Sequence, residues 1–248
     1  VGGMCRSWKW NDFILDTGPH IFHTPDKNLW KFWNKEFGNL LEKGKYWSKN
    51  TYNEDFENHY DYPLSFESLK KYKKNLREKI LKELKTVAKN KKVYTTNFKE
   101  HVTAQVGTTL TNMFFTNYPE KVWGLNTKEI TSEWAPKRIK FTRKIEPFFS
   151  GEYTAVGKYG TGSVYNFIRD KIYKYGGKIK LNHRVTEIIN EDLEIKKIKF
   201  NNSKSINVDR NTVIISSLPI TLTSRLLGYK SNLKFRGVRS IFVAINSK

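Results

Sequence analysis

Apolar and polar positions first fall into a pattern around the pair Asn11–Asp12, with "CRSWKW" before it and "FILDTG" after it. Short apolar runs on both sides of a polar pair predict a β-hairpin with Asn11–Asp12 as its turn. From Asp26 to about Asn90 the spacing becomes helical, and "NLWKFWNKEFGNLL" places Leu29, Phe32, Trp33, Phe37 and Leu40 on one broad face. Inside that region "KYWSKNTYNEDFENHYDYPL" is aromatic and polar and predicts strands or an ordered loop. Leu69, Tyr72, Leu76, Ile80 and Leu84 recur at near-helical spacing through the lysine-rich run 69–92. Residues 98–140 read as helix interrupted near Pro119 and Gly124. A further helix carries Val164, Phe167, Ile168, Ile172 and Tyr173 and stops at Gly176–Gly177, a pair suited to a left-handed cap. Beyond that pair the chain reads as β: "KIKLNHRVTEIINE", "LEIKKIKFNN" and "NTVIISSLPI", with Val213–Ile215 as a short buried strand. The terminal "SIFVAINSK" also reads as strand.

Composition narrows this to a globular protein: 248 residues, 38% hydrophobic and 15% aromatic, with no internal repeat and no Gly/Ser linker. No apolar run approaches the roughly 20 residues of a membrane helix, so no membrane span is expected. Cys5 is the single cysteine. It excludes an internal disulfide framework and a four-cysteine zinc site, and points to a reducing, cytoplasmic location. The net charge of +21 is large, but its lysines lie in amphipathic helical runs, which reads as solvated helix face rather than nucleic-acid footprint. A positive field also favours an anionic small-molecule substrate such as a nucleotide sugar. A basic, non-enzymatic nucleic-acid-binding protein is the alternative from another class, expected to bind with steep salt dependence and no chromophore.

Candidate chemistry is sparse. His20 and His23 come after Gly18–Pro19 at the end of a strand, and no Cys, Asp or Glu cluster nearby supplies a third ligand, so no metal site is expected. Glycine before a rigid proline and a polar ring suits a backbone that approaches something flat and large. Gly157, Gly160 and Gly162 precede a helix but lack the spacing of a dinucleotide fingerprint, and read as a flexible helix lead-in. "YPEKVWGL" sets Lys121 and Trp123 beside Gly124. An indole face can stack on a base or sugar while a lysine meets a phosphate.

Together these stretches resemble the flavoprotein superfamily of amine oxidases, protoporphyrinogen oxidases and UDP-galactopyranose mutases. "VGGMCRS" is similar to its Gly-Gly segment, and "FILDTGPHIFHT" to the mutases' histidine loop, which lies against the isoalloxazine ring. "YPEKVWGLNTKEITSEWAPKRI" resembles the Lys-x-Trp-Gly segment, most of all in protoporphyrinogen-oxidase-like members. "GGKIKLNHRVTEI" and "TVIISSLP" resemble the strands returning to the FAD domain, and "LKFRGVRSIFVAIN" the re-entry into the substrate domain.

The resemblance implies an α/β protein: an incomplete Rossmann-like FAD-binding domain at 1–24 and 178–222, and a helical plus mixed-sheet substrate domain at 25–177 and 223–248. It implies FAD as cofactor, with Gly2, Gly3 and Arg6 at the diphosphate, Val185 at the adenine, and Gly18, Pro19 and His20 at the flavin ring, His20 being the catalytic candidate and His23 an anchor of the turn. Lys121 and Trp123 would face the substrate. Charge alone adds Arg138 and Arg143 as contacts for an anionic substrate. The expected reaction is oxidoreduction, with hydride passing from substrate to flavin N5. The alternative is a mutase, in which reduced flavin N5 attacks a sugar anomeric carbon without net oxidation. The family's N-terminal dinucleotide fingerprint and its C-terminal flavin-pocket segment are not found in the sequence. The chain therefore reads as the middle of a longer product, expected on its own to bind FAD poorly.

Overall fold

The computed structural model describes all residues except 53–54, 90–94, 138, 140 and 246–248. Contacts divide the chain into two compact units, Ser7–Ser163 and Val1–Arg6 together with Val164–Lys248.

The Ser7–Ser163 unit opens with the hairpin that the sequence predicts, β1 (Ser7–Trp10) and β2 (Phe13–Asp16), antiparallel with Trp10 opposite Phe13 and Ser7 opposite Asp16. Asn11 turns the chain at φ 50°, a conformation asparagine tolerates better than most residues. Next come β3 (Phe22–Thr24), α1 (Lys27–Phe37) and β4 (Leu41–Lys43). The aromatic stretch forms an antiparallel pair as expected, β5 (Ser48–Tyr52) with β6 (Asp55–Tyr62), followed by β7 (Leu64–Ser65). The helices α2 (Lys74–Lys89), α3 (Phe98–Phe114) and α4 (Asn117–Trp123) lead to β8 (Phe141–Thr142) and β9 (Tyr153–Gly157). β9 is the centre of an antiparallel sheet of order β3-β9-β4, whereas β7 and β8 pair in parallel.

α1 starts where Asp26 accepts hydrogen bonds from the N–H groups of Asn28 (2.6 Å) and Leu29 (3.0 Å). Its inner face differs from the predicted one. Trp30, Trp33, Asn34 and Phe37 turn inward, while Leu29 and Phe32 are 40% and 54% exposed. The reason is tertiary: Phe22 on β3 meets Trp33 and Phe37 at ring separations of 5.7 and 6.2 Å, and that contact chooses the face.

The main core gathers Leu64, Leu69, Tyr72 and Ile80 with Phe98, Val102, Val106 and Leu110. The lysine-rich spine is thus apolar inside as predicted, although it is not one helix. Ser68–Lys71 is a 3-10 turn, Tyr72 is extended, and α2 starts at Lys74. α3 is broken at Gly107, whose φ of 82° and ψ of 168° are non-helical. Glu83 of α2 restarts it, accepting from the N–H (2.7 Å) and the hydroxyl (2.6 Å) of Thr109. The next interruption lies at Phe115–Thr116 and not at Pro119, which sits in the first turn of α4, where its missing N–H costs nothing. Gly124 ends α4 at φ 63°, as a left-handed cap should.

α5 (Thr161–Lys174) carries the chain from one unit into the other and ends in a Schellman motif: Gly176 N–H bonds Tyr173 C=O (3.0 Å) and Gly177 N–H bonds Ile172 C=O (2.8 Å). The second unit then forms the antiparallel sheet β10 (Val185–Glu191), β11 (Glu194–Phe200) and β12 (Ser205–Asn207), and the short α6 (Ile220–Leu226). Two predicted strands do not form. Val213 and Ile215 are 84% and 93% exposed rather than buried, and the segment ending at Ile245 is likewise irregular and exposed. An apolar run becomes a strand only when a neighbouring strand takes up its N–H and C=O groups, and neither segment joins a sheet among the described residues. Among the described residues, no helix is long and apolar enough to cross a membrane.

Candidate functional site

The glycine-rich turn before α5 is tightly packed, which corrects its reading as a flexible lead-in. A Cβ on Gly157 would stand 2.4 Å from the Gly160 carbonyl oxygen, and one on Gly162 would stand 2.5 Å from the Ser7 backbone nitrogen. The helix N-terminus is occupied by the chain itself. Asp16 accepts from the Thr161 N–H (3.2 Å) and hydroxyl (2.8 Å), and Ser7 Oγ accepts from the Gly162 N–H (2.7 Å) while donating to Asp16. Donors that could hold a phosphate are thereby already engaged, those of Thr161 by a carboxylate and that of Gly162 by a hydroxyl.

The histidine loop joins β2 to β3. Gly18 and His20 are half-buried and Pro19 is exposed. Gly18 is not in the left-handed region, so conformation alone does not require glycine there. The telling atom is His20 Nδ1, buried without a hydrogen-bond partner. A buried polar nitrogen left unsatisfied costs about 1–3 kcal/mol, a cost that a polar group of a bound ligand would remove. His23, three residues on, has its own partners: its Nδ1 lies 2.7 Å from Glu152 Oε2, and its ring stacks on Phe149 at 4.2 Å. These contacts tie the strand that follows the loop to the segment around residues 149–152. Glu152 and Phe149 also line a cavity of about 150 Å³ with Lys45, Tyr46 and Thr154. Burial, and then the neighbouring Glu42 charge, raise the Tyr46 phenol above its ordinary pKa.

Lys121 and Trp123 stand on α4. Lys121 is exposed, and Trp123 packs edge-on against Trp134 at 5.5 Å and 88° while leaving 36% of its surface open. Arg143 is exposed in the bend after β8, where its carbonyl accepts from the Glu67 N–H. Arg138 lies outside the described residues. Glu120, inside the same motif, escaped the sequence reading: its Oε1 accepts from the N–H (3.0 Å) and hydroxyl (3.2 Å) of Thr127.

In the other unit, Gly2 and Gly3 adopt φ values of 93° and 53° around the 3-10 turn Gly3–Cys5. These are conformations that favour glycine, and the turn is closed by Cys5 N–H to Gly2 C=O (2.8 Å). Arg6 is exposed, and Val185 is the half-buried first residue of β10, opposite Phe200. Next to the turn, a hydrogen bond with Cys5, then burial, then the thiolate's charge push the Tyr165 phenol up to about 12. Among the described residues no group of three His, Cys, Asp or Glu side chains could hold a metal.

Comparison with known proteins supplies the frame for these features. The chain is 30% identical over 137 residues to a dTDP-fucopyranose mutase of Escherichia coli, an alignment covering 52% of this chain and 34% of that protein. Its fold superposes on reduced UDP-galactopyranose mutase with a TM-score of 0.73 at 20% identity, covering 93% of this chain and 50% of the other. An oxidoreductase from Methanosarcina mazei superposes with a TM-score of 0.54 at 18% identity, with 91% and 53% covered. The chain therefore spans a third to a half of the length of these relatives. The model of the flavin containing amine oxidoreductase family matches residues 1–240, and the chain belongs to that family of flavin-dependent enzymes, with FAD as the cofactor.

Proposed function

We propose that the chain is part of a cytoplasmic FAD-dependent oxidoreductase acting on an anionic small molecule, with a nucleotide sugar as the substrate class. The observation that carries this is His20 Nδ1, buried and unpartnered in the loop whose sequence resembles a flavin-facing loop. FAD supplies a two-electron hydride acceptor. The chain's own groups bind and orient. His20 presents its imidazole to the ring, Gly18 and Pro19 shape the close approach, Gly2, Gly3 and Arg6 meet the diphosphate, and Val185 meets the adenine through its backbone. Trp123 offers an indole face, and Lys121, Arg138 and Arg143 offer positive charge to the substrate. The assignment keeps a Rossmann-like FAD domain at 1–24 and 178–222 and a substrate domain at 25–177 and 223–248.

A second reading is a sugar-nucleotide mutase, favoured by the similarity to dTDP-fucopyranose mutase and the fold of UDP-galactopyranose mutase. One anaerobic experiment separates them. Under oxidoreductase chemistry the substrate bleaches the flavin band stoichiometrically. Under mutase chemistry the pre-reduced protein interconverts UDP-galactopyranose and its furanose isomer while the flavin stays reduced. In either reaction His20→Ala, with FAD still bound, is expected to slow turnover about tenfold or more, the worth of one buried hydrogen bond. Unchanged turnover in that variant sinks the ring-facing role.

A further inference from the structure

Trp123 and Lys121 sit at the end of a two-turn helix, and so short a helix has little stability of its own. Something must hold the segment still if an indole is to present a fixed face. Two fastenings do so. At the far end, Phe98 N–H bonds Ile130 C=O (2.7 Å) and Lys99 N–H bonds Thr127 C=O (3.2 Å), which ties the returning loop to the start of α3. At the near end Glu120 reaches over the turn to Thr127, a residue with no exposed surface, and one carboxylate oxygen satisfies both its N–H and its hydroxyl. The segment between Glu120 and Thr127 contains Lys121, Trp123 and Gly124. Gly124 N–H returns to Glu120 C=O at 2.7 Å, so the same residue closes the turn through its backbone and through its side chain. Trp123 is then set at 88° against Trp134, which itself packs on Phe98 at 5.0 Å.

We propose that Glu120 is a positioning residue for the substrate: its carboxylate buckles the 120–127 turn and so fixes the orientation of Trp123 and Lys121 toward a nucleoside diphosphate. The inference rests on the reading of Trp123 as substrate-facing. Thr127 is fully buried, its two donors need an acceptor, and the acceptor comes from the residue immediately before Lys121. A carboxamide at 120 retains an acceptor oxygen; alanine removes it and leaves two buried donors unpaired.

The test uses the full chain with FAD supplied in excess and UDP as the probe, titrated calorimetrically against the parent, Glu120→Ala, Glu120→Gln, Thr127→Val and Trp123→Phe. The protein carries 5-fluorotryptophan, so that the Trp123 signal is read by 19F NMR and assigned from Trp123→Phe. Glu120→Ala is expected to weaken UDP binding about tenfold, the worth of a buried charge-assisted hydrogen bond, and to move the Trp123 signal. Glu120→Gln is expected to recover most of both effects, and Thr127→Val, which keeps the side-chain shape and one of the two bonds, to fall between. Should Glu120→Ala fail to fold, Thr127→Val and Glu120→Gln carry the test alone. If Trp123→Phe weakens UDP but Glu120→Ala and Thr127→Val leave affinity and the Trp123 signal at parental values, the positioning role is overturned and the substrate reading stands. If Trp123→Phe leaves UDP binding unchanged, the substrate reading itself is overturned.

Discussion

Gly107→Ala should destabilise the Ser7–Ser163 unit far more than an ordinary glycine-to-alanine change in a helix, where alanine normally gains stability. Two separate terms act. Holding a residue with a side chain at φ 82°, ψ 168° costs about 1–3 kcal/mol, because that region is almost the preserve of glycine. A Cβ there would also stand 2.7 Å from both Cβ and Oε2 of Glu83. The Cβ of Glu83 is fixed to the α2 backbone and cannot swing away, so the carboxylate must leave Thr109. Each of its bonds, at 2.7 and 2.6 Å, is worth about 1.5–3 kcal/mol as a charged hydrogen bond. The dihedral term of about 1–3 kcal/mol and the two bonds at about 3–6 kcal/mol together give a loss of about 4 kcal/mol or more, at least about 8–16 °C in Tm at ~2–4 °C per kcal/mol for a chain of this size. Urea unfolding followed by circular dichroism measures it, and a double-mutant cycle with Glu83→Ala partitions it. In the Glu83→Ala background the carboxylate and its two bonds are gone, so what should remain is the dihedral cost of about 1–3 kcal/mol together with the contact between the two Cβ atoms, which alanine at 83 retains. A variant within about 0.5 kcal/mol of the parent, or a cycle additive to within that margin, would refute the account.

Asp16→Ala removes the acceptor shared by Thr161 and Ser7 and is expected to cost about 2 kcal/mol, at the upper end for a helix cap, in the same urea experiment. Tyr165 should titrate near 12 in an alkaline ultraviolet scan, and Cys5→Ala should return it toward the ordinary value of 10.0. Because its folded-state value is raised, the stability Tyr165 contributes is complete below pH 10.0 and is lost as pH rises toward about 12. An identical titration curve in Cys5→Ala would remove the hydrogen bond as its cause.

The signals legible in the sequence are local. Asn11–Asp12 marks a turn because its neighbours on each side are apolar, and Gly176–Gly177 marks a helix end because glycine alone suits the cap. Both signals act over a few residues. The features that escape a sequence reading join distant positions. Nothing near Gly107 announces that Glu83 will restart the helix, and nothing near Thr161 points to Asp16. Val213–Ile215 has the composition of a strand, yet pairing decides whether a strand forms, and composition says nothing of partners. The candidate site divides the same way. His20 stands out through Gly18 and Pro19, but its unsatisfied Nδ1 emerges only from the packing around it. Glu120 lies inside the Tyr118–Leu125 motif and carries no signal there, because its partner Thr127 becomes meaningful only once it is buried.

The clasp at the start of α5 also has a kinetic consequence. Asp16 and Thr161 are 145 positions apart, so the helix receives its N-terminal acceptor only after a very long loop has closed. Helices capped by an adjacent Ser or Asp can nucleate early and alone. This one lacks that local acceptor, and its first turn should be among the last parts of the chain to acquire protection against amide exchange during refolding.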